Sequence, residues 1–178
     1  MSVQSASLIT LIGMPGSGKS TVGKRLADYL HYSFVDTDSL LVEHLGQSLQ
    51  SYLEQAGYLA LREQEASVVL SADFPEKSVI ATGGSVVYSA SSMARLKALG
   101  PVIFLSADVQ TLMSRVSNFS NRGLACPPGT DFQHLFDERV VLYQQYADVF
   151  LNVCGLSPEA VVKEIVNLLL TRHMTPSC

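Results

Sequence analysis

At 178 residues, 47% hydrophobic and 16% charged, the chain is long enough for one α/β domain with a substantial core and too apolar for a disordered segment. A formal net charge of −4 speaks against the basic face of a nucleic-acid binder, while leaving room for a local cluster of arginines around a small anion. Cys126, Cys154 and Cys178 are odd in number and widely spaced, with no zinc-like pattern, and no basic leader precedes the first apolar run, so a cytoplasmic protein without a membrane segment is expected.

The first element is the apolar run Leu8-Ile9-Thr10-Leu11-Ile12, a buried strand over about 7–12. It runs into Gly13-Met14-Pro15-Gly16-Ser17-Gly18-Lys19-Ser20, a complete G-x-x-x-x-G-K-[ST] phosphate loop. Its glycines let backbone N–H groups turn toward phosphates, Lys19 brings charge to them, and the Ser20 hydroxyl is a hard oxygen suited to Mg²⁺. Val22, Leu26 and Leu30 then repeat at helical spacing over 18–31, completing the strand–loop–helix context of a nucleotide site. Further strands are predicted at 33–36, 78–82, 101–105 and 148–153. Helices are predicted at 38–45, 48–55, 58–72, 89–99, 108–117, 131–146 and 158–172. Alternating β and α segments predict a three-layer α/β/α domain on a five-stranded parallel sheet, with ligands beyond the carboxyl ends of the strands.

Two stretches interrupt this rhythm. The helices between strands two and three span about forty residues, more than an ordinary crossover needs. Residues 118–130 carry no helical or strand period and are rich in Gly and Pro, as a lid would be.

Candidate chemistry sits just after predicted strands. Asp36 and Asp38 lie two apart; in extended geometry both carboxylates face one side, with Asp36 placed to hold a metal beside Ser20 and Asp38 to orient an attacking hydroxyl. Asp38 is equally a good helix cap. Arg62 and Glu65, at i and i+3, meet on one helical face, either as a surface ion pair or as an arginine aimed at a substrate anion by its carboxylate. The pair Gly83-Gly84 allows close backbone approach to a ligand or a plain turn. Arg115 closes a helix, Arg122 lies in the expected lid and Arg139 on the next helix; a mobile arginine over the phosphate loop would stabilise a transferring phosphoryl group, and each is otherwise a solvated surface charge.

Taken together, these motifs resemble the shikimate kinase family, within the nucleoside-monophosphate-kinase-like branch of P-loop proteins. The resemblance runs in order along nearly the whole chain: Gly13 to Thr21 for the G-x-x-G-x-G-K-S-T loop, Asp36-Thr37-Asp38 for D-x-D, Leu61 to Glu65 for F-R-x-x-E, Thr82 to Ser85 for the triple-glycine turn, and Arg139, Tyr143, Ala147 and Asp148 for R-x-x-x-Y-x-x-x-A-D. It implies a single P-loop kinase domain over 1–178, with a substrate-binding insertion at about 37–72 and a lid at about 118–130. It implies transfer of the γ-phosphate of ATP to the 3-hydroxyl of shikimate with Mg²⁺. Lys19, Asp38 and Arg122 would be catalytic. Gly16, Ser17, Gly18, Lys19, Ser20, Thr21, Arg115, Arg122 and Pro158 would hold ATP, and Ser20 and Asp36 the metal. Asp38, Arg62, Gly83, Gly84 and Arg139 would hold the acceptor. A monomer is expected, with no nucleic-acid or membrane partner.

Three departures touch the acceptor side. Ser85 replaces the third glycine, where it either intrudes or adds a hydrogen bond; Leu61 replaces a Phe; and the lid reads Arg122-Gly123-Leu124-Ala125-Cys126 in place of R-P-L-L. The alternatives are therefore a kinase for another hydroxy acid or polyol and, from a different class, a nucleotide-binding regulatory protein.

Overall fold

The computed structural model describes residues 8–116 and 123–172. Five short segments form its sheet: β1 (Leu8–Ile12), β2 (Ser33–Asp36), β3 (Ser78–Ala81), β4 (Val102–Ser106) and β5 (Val149–Asn152). All pairings are parallel and the order is β2-β3-β1-β4-β5. Every residue of β1 and β3 is buried, as strands covered on both faces must be. The edge strand β5 alternates buried and exposed residues instead.

The helices are α1 (Lys19–Leu30), α2 (Thr37–Leu45), α3 (Leu49–Ser71), α4 (Ala90–Leu99), α5 (Val109–Arg115), α6 (Phe132–Tyr146) and α7 (Pro158–Arg172), with a 3₁₀ turn at Val86–Tyr88. α1 and α7 pack together, while α4 and α6 lie on β1 and β4. The expected α/β/α arrangement around an all-parallel sheet is therefore present. Among the described residues no helix is long and apolar enough to cross a membrane.

The insertion between β2 and β3 differs in one respect from expectation. The two helices predicted at 48–55 and 58–72 join as α3, kinked at Gly57, which takes φ 85° and ψ 167°. Only glycine adopts that backbone readily, so the kink is written into the sequence. Ser48 caps the start of α3 by accepting from Ser51 N at 3.1 Å.

The C-terminal end of α3 has neither a glycine cap nor a basic residue of its own. Arg95 from α4 supplies the missing donors, bonding Val69 O at 2.9 Å and Ala72 O at 2.7 Å, with Leu70 O also accepting, and its guanidinium lies 5.4 Å from the Phe74 ring. Arg95→Ala strands these carbonyls and is expected to destabilise the fold by about 1–3 kcal/mol, read as a lower urea midpoint at unchanged slope.

Candidate active site

The loop between β1 and α1 is shaped by its glycines. Gly16 and Gly18 hold φ 85° and 92°, and Gly18 occupies the N-cap position of α1. A side chain at Gly16 would also meet Val116 Cγ2 at 2.8 Å, so the loop requires glycine there twice over. Lys19 is 9% exposed and folds back to donate to Gly13 O at 2.8 Å and Met14 O at 3.0 Å. Burial lowers its pKa from 10.5 to about 8, against the opposing pull of the Asp38 and Asp36 carboxylates. A cation held in this way beside a helix N-terminus gains when a polyphosphate arrives.

β2 ends at Asp36 and the chain turns at once into α2, so the extended geometry assumed for the two aspartates does not persist. Asp36, not Asp38, is the cap: its Oδ1 accepts from Asp38 N at 3.0 Å. Its Oδ2 accepts from Ser20 Oγ at 2.6 Å. That leaves the Asp38 carboxylate accessible from the cleft. Surrounding protein pushes its pKa up, as does the Asp36 charge, while Lys19 and Arg139 oppose the rise. Among the described residues no group of three or more His, Cys, Asp or Glu could hold a metal. Ser20 and Asp36 are a two-oxygen set of the kind that suits Mg²⁺ completed by phosphate and water.

The pairing of β2 with β3 sets Asp36 opposite Ala81, which brings the Thr82–Ser85 turn to the same edge. Gly83 N donates to Thr37 Oγ1 at 3.0 Å, and Gly84 O accepts from Tyr143 Oη at 2.6 Å. A Cβ on Gly84 would stand 2.8 Å from Arg139 Nη1. Ser85 resolves the alternative posed by its sequence position: its hydroxyl donates to Glu65 Oε2.

Arg62 and Glu65 do not pair. Arg62 Nε donates to Ala125 O at 3.0 Å and its guanidinium lies 3.4 Å from the centroid of the Tyr88 ring. Arg139, 1% exposed, donates from Nη2 to the same Ala125 O at 3.2 Å. Arg62 Nη2 and Arg139 Nε are buried without a hydrogen-bond partner. Two guanidiniums converge on one neutral carbonyl, each with a donor to spare, which is an arrangement that accepts an anion.

A single cleft of about 620 Å³ joins these groups. Gly16, Ser17, Gly18, Lys19, Ser20 and Thr21 line it together with Arg115 and Pro158; Arg115 Nη1 also reaches Gly16 O at 3.5 Å. Asp38, Gly84 and Arg139 line it too, as do Glu65 and Ser85. Asp36, Arg62 and Gly83 stand behind this wall. Arg122 lies outside the described residues, as does the first part of the expected lid. Its remainder docks on the insertion: Gly123 N donates to Gln50 Oε1 at 2.7 Å. Ala125 buries itself with Leu41, Leu61 and Val68, so Leu61 fills a small apolar cluster rather than leaving a hole.

Tyr88 and the Ala125 carbonyl carry much of this geometry and had no sequence signal. Tyr143 had one, its four-residue spacing from Arg139.

The family described as shikimate kinase matches residues 15–170. A shikimate kinase of Caldanaerobacter subterraneus subsp. tengcongensis is 34% identical over 160 residues, covering 89% of this chain and 93% of its own. The structure of a shikimate kinase from Acinetobacter baumannii in complex with shikimate superposes with a TM-score of 0.86 at 26% identity, over 95% of this chain and 96% of that one. The Aquifex aeolicus shikimate kinase gives 0.80 at 30% identity, over 96% and 99%. Sequence and fold agree over almost the full length of both partners: the chain belongs to the shikimate kinase family.

Proposed function

We propose that the chain transfers the γ-phosphoryl group of ATP to the 3-hydroxyl of shikimate, as a single P-loop kinase domain whose α2–α3 insertion holds the acceptor. The observation that carries this reading is the pair of guanidiniums, Arg62 and Arg139, with spare donors beside the cleft that the phosphate loop lines. A small acid with a hydroxyl at its other end offers an anion to the arginines and a hydroxyl to a phosphoryl donor in the same cleft.

In this reading the backbone of Gly16–Thr21 and Lys19 hold the β- and γ-phosphates, with Arg115 and Pro158 beside the base. Arg62 and Arg139 take the acceptor carboxylate, and Gly83 and Gly84 bring the backbone close to it. The Asp38 carboxylate accepts the hydrogen bond of the 3-hydroxyl and orients its oxygen at the γ-phosphorus. The new P–O bond forms as the β–γ bridge breaks, and the hydroxyl proton passes to Asp38. Lys19 stays with the charge that moves onto the leaving ADP. Catalysis is mainly positioning and charge neutralisation.

Ser20 and Asp36 fit Mg²⁺, being hard oxygens already 2.6 Å apart at the helix N-terminus. When bound, the ion neutralises phosphate charge. The free thiols Cys126 and Cys154 suit a reducing cytoplasm, and a monomer suffices because every proposed ligand comes from one chain.

The test is an assay of the purified protein with ATP and shikimate, with and without Mg²⁺. Phosphoshikimate that appears only with the metal is the expected result. ATP binding without phosphoshikimate, followed by turnover of another hydroxy acid or polyol from a panel, would instead favour the reading prompted by Ser85 and the altered lid.

A further inference from the structure

Along its edge, Arg62 is held by very little. Nε donates to Ala125 O at 3.0 Å, while Nη2 is buried without a partner. Glu65, three residues on, is engaged by the Ser85 hydroxyl. What supports this guanidinium is its flat face. Its central carbon lies 3.4 Å from the centroid of the Tyr88 ring, which is van der Waals contact. Tyr58, one turn earlier on α3, lies 5.1 Å from it.

Tyr88 is itself fixed. It ends the 3₁₀ turn Val86–Tyr88, directly after the Thr82–Ser85 turn, and its hydroxyl donates to Glu138 on α6. The guanidinium of Arg139, the next residue of α6, lies 5.5 Å from the same ring. One aromatic ring therefore joins the glycine turn, α3 and α6, the three elements from which the proposed acceptor arginines and backbone come.

We propose that Tyr88 is a positioning residue for the acceptor: resting against the face of Arg62, it fixes the direction of the guanidinium without consuming any of its N–H donors. This rests on the assignment of Arg62 and Arg139 to the acceptor carboxylate. A guanidinium carries all five donors in its plane and is weakly hydrated. A second oxygen holding Arg62 at its edge would take up donors that the acceptor needs. An aromatic face attracts the cation through the ring quadrupole and leaves the edge open. A long, rotamer-rich side chain is thus ordered before substrate arrives, so binding need not supply that ordering. Burial first, then the Glu138 hydrogen bond, push the Tyr88 hydroxyl above its ordinary pKa, so the ring stays neutral and brings no rival charge to the anion site.

The experiment compares steady-state kinetics of the full-length protein with its Tyr88→Leu, Tyr88→Met and Tyr88→Phe variants at saturating ATP and Mg²⁺. Tyr88 is only half-buried in a turn, so all three are expected to fold, and a melting temperature on each preparation checks this. Y88L and Y88M are expected to raise the KM for shikimate about five- to tenfold, with kcat and the KM for ATP within about twofold. Y88F keeps the ring face and should stay within about twofold of the parent. In an Arg62→Gln background, where no cation rests on the ring, Y88L should add no penalty. A folded Y88L or Y88M with an unchanged shikimate KM, a loss in Y88F equal to theirs, or an equal Y88L penalty in the R62Q background overturns the inference. R62Q alone tests the underlying assignment. If it leaves the shikimate KM unchanged, the carboxylate assignment falls; if it raises KM while Y88L and Y88M do not, the assignment stands and the role of Tyr88 falls.

Discussion

Asp38→Asn will lower kcat by about 10²–10⁴-fold while ATP still binds. The substitution preserves size and shape in a tight place, since a Cβ on Gly83 would stand only 2.6 Å from Asp38 Oδ1. It leaves the cap of α2 intact, because that cap is Asp36. It also leaves Lys19 in the loop, bonded to Gly13 O and Met14 O. What it removes is the charge that, in the proposed mechanism, accepts and orients the nucleophilic hydroxyl. Steady-state turnover with shikimate, set beside ATP affinity from calorimetry, separates the two outcomes. Near-normal turnover would remove Asp38 from its assigned role.

Gly83→Ala gives the second large effect, and a more diagnostic one. The added methyl overlaps Glu65 Oε1 and crowds Asp38 Oδ1, while its backbone is not in the left-handed region. Both obstacles are tips of side chains, which can swing away without disturbing the sheet. The fold should therefore survive with a melting temperature lowered by a few degrees, since two side-chain tips, one of them the buried Glu65 carboxylate, must shift while the backbone need not. Asp38, however, must leave the position from which it is proposed to orient the acceptor hydroxyl, and displacements of about 1 Å can cost about a hundredfold in rate. Thermal unfolding and kcat/KM measured on one preparation test the split. Equal loss of stability and activity would show that Gly83 serves the fold rather than the site.

The elements that could be read from the sequence are those whose causes are local. β1 and β3 are continuous apolar runs, the phosphate loop demands glycine at fixed places, and Gly57 marks the bend in α3. Where several local solutions compete, distant residues decide. Asp36 and Asp38 are both credible caps, and the choice falls to Asp36, whose other oxygen bonds Ser20 sixteen residues upstream. Arg62 and Glu65 have the spacing of a pair, yet Tyr88 and Ala125 take one partner and Ser85 the other. None of those three belongs to the same helix, so no period or spacing along α3 announces them. Serine at 85 could be read only as an intrusion or a new hydrogen bond until the position of Glu65 was known.

The carbonyl shared by Arg62 and Arg139 has one more consequence on the proposed assignment. A peptide oxygen satisfies N–H donors but carries no full charge, so it occupies the anion site without discharging it. A neutral polyol that enters the cleft exchanges one dipole for another at these arginines and gains little. An acid gains the full attraction of two guanidiniums in a sheltered setting. The Ala125 peptide thus acts as a toll that only a carboxylate can repay, and discrimination between acids and sugars begins before any hydroxyl reaches Asp38.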